Sequence, residues 1–267
     1  MNNIFVPVIV LKHVEKLLKS HSNFQKIHTQ VKGQLLSISL SFLFFPAHFA
    51  EKSASVASKK KTEIVQSISS TAKMLYDQLN LSTLGLSEEA FGYAYKGYQY
   101  LIQKEKLNNT EIFSICDLSQ SSNKKRFYIL DLASNKVLMT TYVAHGRGSG
   151  AEYAMHFSNK ASSHQSSLGF YITGSTYYGQ NGLSLKLEGL EAGFNNLALK
   201  RNIVVHGAAY IGEERLHDNN FMGRSYGCPA VPLNECDTII NLIKNGTCLF
   251  IYHPTKIYLK KSRILNG

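Results

Sequence analysis

The sequence lacks the motifs that identify several classes of protein. It contains no Cys-x-x-Cys and no His-Glu-x-x-His, the spacings that commonly hold zinc, and the glycine-rich run at 146–150 lacks the Lys-Ser/Thr of a phosphate loop. There is no internal repeat and no low-complexity tract. Apolar residues make up 44% of the chain, which is typical of a globular protein and not of a disordered one. We therefore predict a folded domain that requires neither a metal nor another cofactor.

Negative charge is scarce, with 18 acidic against 29 basic residues and a net charge of +11. Residues 1–62 contain nine lysines and two glutamates, a net +7, so 20 basic and 16 acidic residues leave +4 on the remainder. No basic cluster with interleaved aromatic residues follows residue 62, so we do not predict nucleic-acid binding. A mild positive charge suits an anionic polymer such as a cell wall.

The apolar run Leu35–Phe45 is too short to span a bilayer and has the length of a signal-peptide core. We interpret residues 1–50 as a leader whose segment 31–50 is a signal, with cleavage near Ala50. Because 34 residues precede the run, we hypothesise that translation starts near Val31. The mature chain is then extracytoplasmic, in the periplasm or cell envelope, without a membrane span. The alternative is that the run forms a buried apolar helix.

A polar linker and two amphipathic helices are predicted to follow the leader. The linker is residues 51–61, and the helices occupy the segment 62–109. The first helix has an apolar stripe made of Ile64, Ile68, Met74, Leu75, Leu79 and Leu81. The second begins at Ser87 as N-cap, with Glu88 and Glu89 in its first turn. Its apolar face, which we interpret as a packing surface, consists of Phe91, Tyr95, Tyr98 and Leu101.

From about residue 110 the sequence pattern is typical of strands. A hairpin is predicted from strands at 126–132 and 136–143, joined by the turn 133–135. Further strands are predicted at 169–173, 183–187, 202–206 (ended by Gly207) and 247–252, with a Gly/Tyr-rich loop at 174–182 and a helix at 233–244. Many short strands with one or two short helices predict a mainly β fold. We expect a β-rich sandwich or barrel-like catalytic domain at 110–267, after the small N-terminal helical segment.

The four cysteines have different sequence contexts. Cys116 and Cys248 lie in apolar strand-like runs, where cysteine usually packs in a core, and Cys236 lies in the predicted helix. Cys228 lies in a turn, Gly-Arg-Ser-Tyr-Gly-Cys-Pro. In an exported protein four cysteines can also form two disulfides, and a Cys228–Cys236 bond is one alternative.

Cys228 and His206 are the candidate nucleophile and base. A thiol becomes a strong nucleophile when a neighbouring group takes its proton, and imidazole is suited to this because its pKa lies near neutrality. His206 ends a short apolar strand and is followed by Gly207. Gly227 permits unusual backbone angles, which allow amide groups near the sulfur to face a developing oxyanion.

The motifs around these two residues resemble a known family. The runs 203–207 (IVVHG) and 223–230 (GRSYGCPA), with 141–150 (TYVAHGRGSG) and 169–174 (GFYITG), are similar to the L,D-transpeptidase catalytic (YkuD-like) domain. The likeness is greatest to the murein L,D-transpeptidase subgroup and covers about residues 110–255. The N-terminal helices are not needed for it.

The resemblance implies a β-rich fold and acyl transfer on peptidoglycan stem peptides. Cys228 attacks the peptide bond after the third residue of a tetrapeptide stem, His206 holds the proton, and the Gly207 carbonyl orients the imidazole. The amides of Gly227 and Cys228 stabilise the oxyanion. An amine from a second stem then forms a 3–3 cross-link, whereas water gives an L,D-carboxypeptidase.

Two positions depart from the family signature. Ser225 matches its Ser/Thr, but Tyr226 stands where histidine is common, and Ala230 stands where arginine or asparagine is common. Arg224 is therefore our candidate for binding a stem carboxylate, because arginine binds carboxylates through two parallel hydrogen bonds. A solvated surface charge is the alternative for Arg224.

Three functions remain open from the sequence alone. The first is the transpeptidase, the second is the carboxypeptidase, and the third is a non-catalytic wall-binding module whose site has lost its activity. The loop histidine His145 either lines the cleft or is structural. The acceptor and the oligomeric state are not predicted.

Overall fold

The structure, a computed structural model, describes residues 48–218 and 221–267. Backbone contacts group Ser55–Gly267 into one compact unit. The helices of the described residues are α1 (His48–Gln78), α2 (Glu88–Gln103), α3 (Arg215–Asp218), α4 (Cys236–Ile243), α5 (Lys256–Lys261) and α6 (Arg263–Asn266). The strands are β1 (Ile112–Asp117), β2 (Phe127–Asp131), β3 (Lys136–Thr141), β4 (Gly169–Gly179), β5 (Gly182–Gly189), β6 (Val204–Ala208), β7 (Ala230–Pro232) and β8 (Cys248–Tyr252).

All eight strands belong to one sheet, in the order β3-β2-β1-β8-β4-β5-β6-β7. The β1–β8 and β6–β7 pairs are parallel, and the other neighbours are antiparallel. The last strand in sequence, β8, thus lies in the middle of the sheet. The final pair, β6 and β7, carries the two predicted catalytic segments.

The two edges of the sheet meet close to these segments. Just after β3, the Ala144 N–H donates to the Ala230 carbonyl in β7 at 2.8 Å, and an isolated bridge joins Gly146 to Ser225. These contacts bring the first and last strands of the sheet together, as in a nearly closed barrel. The predicted mainly β, barrel-like class with an N-terminal helical segment is confirmed.

Helix α2 is part of the core of this unit. Ser87 caps it as predicted, because its Oγ accepts a hydrogen bond from the Ala90 N–H at 3.1 Å. The predicted apolar face is buried, and the Tyr98 ring stacks on Phe113 of β1 with centroids 4.8 Å apart. At Gly97 an added Cβ would lie 1.9 Å from the Phe170 ring of β4, so the helix lies directly against the sheet.

Several predicted boundaries were wrong. The predicted loop 174–182 is mostly strand, because β4 continues to Gly179 and only Gln180 and Asn181 separate it from β5. Threonine and tyrosine favour extended backbone there. Strand β6 continues through Gly207, and the predicted helix at 233–244 begins only at Cys236. In α1, Met74 is exposed, and the buried residues are Ala72, Leu75 and Tyr76, followed by the buried Leu79 just after the helix.

The predicted leader, residues 1–50, lies outside the described residues except for its last three. Residues 51–61, predicted as a linker, lie within the helix α1. Within the described part of the chain, no helix combines the length and apolar character needed to cross a membrane.

Candidate active site

The turn that carries Cys228 enters the sheet beside His206. The register of the parallel pair places His206 opposite Ala230, two residues after Cys228. The structure therefore places Cys228 in the turn just before the strand that pairs with the strand of His206. Their contacts define the protonation state of each.

Ser225 orders the turn from within. Its N–H donates to the His145 carbonyl, its Oγ donates to the Cys228 carbonyl at 2.6 Å, and the Gly227 N–H donates back to that Oγ at 3.0 Å. Ser225 is buried. Its hydroxyl is thus engaged within the turn, and the Gly227 amide has a partner in this conformation.

Gly227 must be glycine for two reasons. Its φ is +122°, in a region that residues with a side chain rarely adopt. An added Cβ would also lie 2.7 Å from the Gln165 carbonyl oxygen and 3.2 Å from Arg201 Nη2. The turn therefore approaches the 158–167 loop closely enough to exclude any side chain.

His206 has one ring nitrogen fixed and the other available. Its Nδ1 lies 2.9 Å from the Gly207 carbonyl oxygen, which only accepts hydrogen bonds, so Nδ1 carries the proton and Nε2 a lone pair. Burial lowers the pKa of His206 below its ordinary 6.5, partly offset by the Gly207 carbonyl. His206 is thus a neutral base in its resting state.

Cys228 is a protonated thiol in the same state. Its Sγ lies 3.6 Å from the Asn202 carbonyl oxygen, to which the thiol donates. Burial raises the pKa of Cys228 above its ordinary 9.0, while the Val204 N–H and the Arg201 charge lower it. Among the described residues no hydrogen bond joins the Cys228 thiol to the His206 ring, and no acceptor engages the Cys228 N–H.

Arg201 is a site residue that sequence reasoning missed. Its half-buried guanidinium donates to the Ser158 and Gln165 carbonyls at 2.7 Å and also to the hydroxyls of Ser163 and Ser167. This fixes the 158–167 loop beside the Cys228 turn. No carboxylate of the described chain pairs with Arg201, so its charge acts on the thiol. The sequence shows only an isolated arginine before a strand.

His145 is structural. It is fully buried, and its Nδ1 lies 2.9 Å from Nη2 of the buried Arg126, whose guanidinium also donates to the Val143 carbonyl. Burial and the Arg126 charge lower the pKa of His145 to about 4. The ring is therefore neutral and supports the segment that bridges to Ser225.

Tyr226 and Arg224 lie at the surface of the turn. The Tyr226 ring is 63% exposed and lies between the Arg147 guanidinium, 4.7 Å from its centroid, and the His164 ring, 4.6 Å away. Arg224 is exposed, and its Nη1 donates to the Gly150 carbonyl at 2.9 Å. Both side chains are accessible to a ligand.

The remaining cysteines pack in the interior. All four are free thiols, with Cys116, Cys236 and Cys248 buried and Cys228 half-buried. The alternative of a Cys228–Cys236 disulfide is therefore wrong for this structure. Cys236 Sγ instead lies 3.3 Å from where a Cβ on Gly207 would stand, which is why β6 contains glycine there.

In the described chain no cluster of three or more His, Cys, Asp or Glu residues is arranged to hold a metal ion.

The setting of Cys228 predicts how its reactivity depends on pH. Because its pKa lies above 9.0, the thiolate fraction grows about tenfold per pH unit below that value. We expect the rate of iodoacetamide alkylation, followed by mass spectrometry, to rise from pH 7 to pH 9 without levelling off. Arg201→Met removes the nearby cation and is expected to lower the rate at pH 8 about tenfold, whereas Arg201→Lys retains most of it. A plateau below pH 8, or equal rates in the two variants, would contradict this description.

Comparisons with known proteins are consistent with this geometry. The sequence profile of the L,D-transpeptidase catalytic domain matches residues 82–252, which is 171 of 267 residues. The match begins at 82 and not near 110, so it includes α2, which lies outside the resemblance at about residues 110–255. No curated protein matches the chain.

Three similar solved structures have low sequence identity. An L,D-transpeptidase from Mycobacterium smegmatis is 9% identical over 54% of this chain and 59% of that one, with a TM-score of 0.33. One from Mycobacterium tuberculosis H37Rv is 12% identical over 54% and 58%, with a TM-score of 0.35. A fused Zn-dependent amidase/peptidase/peptidoglycan-binding protein from Clostridium acetobutylicum is 15% identical over 58% and 61%, with a TM-score of 0.32. The chain thus spans about three fifths of each.

Proposed function

Because the chain belongs to the family of L,D-transpeptidase catalytic domains, we propose that it transfers acyl groups of peptidoglycan stem peptides through a thioester on Cys228. One observation carries this proposal. The one cysteine outside the core, Cys228, lies two residues before the strand β7, which pairs with the strand of His206. The Nε2 atom of the neutral His206 ring is free to act as the base.

Acylation begins with transfer of the Cys228 proton to His206 Nε2. A rotation about the Cys228 Cα–Cβ bond turns the sulfur from the Asn202 carbonyl towards the imidazole, and catalytic hydrogen bonds commonly form only with substrate present. The sulfur then attacks the carbonyl carbon of the third stem residue. As the tetrahedral intermediate collapses, the C–N bond breaks and His206 returns the proton to the departing amine of the terminal D-amino acid.

The charges formed during this step have candidate partners. The Cys228 N–H has no acceptor among the described residues and is available to the oxyanion, whereas the Gly227 N–H must leave Ser225 Oγ before it can contribute. Arg201 adds a fixed positive charge beside the sulfur. Ser225 then acts by holding the turn, and Gly207 by holding the His206 tautomer.

The thioester is resolved by the nucleophile that reaches it. An amine of a second stem attacks the thioester carbonyl, loses a proton to His206 and gives a 3–3 cross-link, while the thiol is restored. Water in place of the amine gives the tripeptide and an L,D-carboxypeptidase. The proposed substrate lies outside the cytoplasm, in keeping with the export predicted for residues 31–50.

The test is incubation of the purified chain with a disaccharide-tetrapeptide, followed by mass spectrometry of products and protein. Release of the terminal D-amino acid with a cross-linked dimer supports the transpeptidase, and release with tripeptide alone supports the carboxypeptidase. A carbapenem is expected to add its full mass to the protein, because the sulfur opens its strained ring. Absence of both turnover and adduct, with a titratable Cys228 thiol, would refute the enzyme and favour the wall-binding module.

A further inference from the structure

A cavity of about 330 Å³ opens beside the Cys228 turn and is rich in arginine. Three arginines, Arg147, Arg215 and Arg224, are among the residues that line it, together with the aromatic residues Tyr210 and Phe221. We call this cavity the arginine pocket. It brings Arg147 together with residues more than 60 positions later in the chain, so its composition is a property of the fold.

Each of the three arginines is held in place by a contact that leaves most of its donors free. Arg224 donates one N–H to the Gly150 carbonyl and lies over the Phe221 ring, 5.3 Å from its centroid. Arg215 donates its Nε–H to the Ala209 carbonyl at 3.1 Å. Arg147 lies over the Tyr226 ring. A guanidinium has five N–H donors, so at least four remain on each for a ligand.

Among the side chains that the structure describes, both ion pairs involve Lys73, and none pairs Arg147, Arg215 or Arg224 with a carboxylate. Positive charges that share a concave site repel each other, and an anion that binds there relieves this repulsion. Such a site also raises the local concentration of anions. The pocket therefore favours an anionic ligand.

The arginine pocket and the nucleophile share a wall. The Arg147 N–H donates to the Ser225 carbonyl at 2.8 Å, and the Gly223 N–H donates to the Tyr210 carbonyl at 3.1 Å. The Tyr210 ring lies against Gly223, where a Cβ would stand 2.4 Å from its Cδ2.

We propose that the arginine pocket binds a carboxylate of the peptide whose acyl group Cys228 accepts. The proposal rests on the proposed function and deepens it, because it makes negative charge a requirement for the substrate. Arginine suits a carboxylate because its planar fork forms two parallel hydrogen bonds, and the aromatic walls suit the aliphatic part of a peptide. Two carboxylates of a stem qualify: the terminal one of the leaving residue and a side-chain one.

A pair of alkylating reagents tests the pocket without any turnover. Iodoacetate and iodoacetamide react with the same sulfur and differ in charge, so the ratio of their rates at Cys228 cancels changes in thiol pKa and access. We expect the double substitution Arg147→Gln with Arg224→Gln to lower the iodoacetate-to-iodoacetamide ratio about fivefold. Arg263→Gln, which removes an exposed arginine of α6, is the matched control and is expected to leave the ratio unchanged. An unchanged ratio in the double variant would overturn the proposal.

Substrate analogues identify the carboxylate that is bound. We expect Arg224→Gln to raise KM for the tetrapeptide about tenfold with little change in kcat, and Arg224→Lys to restore part of the loss. A stem amidated at the bound carboxylate is expected to lose this sensitivity, and one amidated at the other carboxylate to keep it. Equal sensitivity for both amidated stems would contradict the proposal. If the wild type turns over no stem, the proposed function fails, while the reagent ratio still decides whether the pocket binds anions.

Discussion

Cys228→Ala is expected to abolish both release of the terminal D-amino acid and the carbapenem adduct, with turnover reduced at least about 10⁴-fold. The physical reason is that no other thiol is placed to replace it, since Cys116, Cys236 and Cys248 are buried. Cys228→Ser keeps the size and the hydrogen bond but has a far less acidic group. We expect it to be as inactive as the alanine variant.

Cys116→Ala provides the matched control for this result. Cys116 lies in β1, fully buried and away from the turn, so its loss is expected to cost stability of about 1 kcal/mol and to leave the adduct intact. The measurement is the protein mass after carbapenem treatment, with D-amino acid release assayed in parallel. An adduct that persists in Cys228→Ala would place the nucleophile elsewhere.

His206→Ala is expected to reduce thioester formation about 10³-fold, the usual contribution of a positioned base. The pH profile separates this role from a structural one. Burial lowers the pKa of His206 below 6.5. Wild-type kcat/KM should therefore stay constant as the pH falls to 6.5. It should decline only at lower pH, where the imidazole becomes protonated, and this decline is the acid limb of the profile. In His206→Ala the acid limb should disappear, and the residual rate should follow the Cys228 thiolate and rise with pH.

His253→Ala is the control histidine variant. The His253 ring is half-buried and lies against Phe157 and Thr255, away from the Cys228 turn, so the acid limb should be retained. A His206→Ala enzyme with an unchanged acid limb would show that another group supplies the base.

The proposed catalytic pair, Cys228 and His206, could be selected from the sequence because its signals are local. A cysteine between glycine and proline and a histidine before a glycine each indicate a turn or a strand end, and the family resemblance joins them. Gly227 was predicted to have unusual backbone angles, and its φ of +122° confirms this. The N-cap Ser87 and the hairpin turn before β3 were predictable for the same reason.

The remaining site residues could not be predicted, because they depend on contacts between distant segments. Arg201 acts through the carbonyls of residues 158–167, and Arg147 and Arg215 line a pocket with the predicted candidate Arg224 only in the folded chain. Neither set of contacts leaves a periodic pattern or a characteristic residue spacing in the sequence. The prediction of a loop at 174–182 was wrong for a different reason. The glycine and tyrosine residues there suggested a turn, but pairing with β5 holds the segment as a strand.

The position of β8 has a consequence for the order in which the protein folds. Its residues are the last of any strand to be synthesised, yet they separate β1 from β4, and β1 pairs in parallel with a segment that begins 136 residues after its own first residue (248 minus 112). Strand pairing over such a separation is slow, and β1 and β4 have no common neighbour until residue 252 has been made. A nascent chain that already contains Cys228 therefore still lacks its central strand, and the sheet around Cys228 is completed only after β8 has been translated.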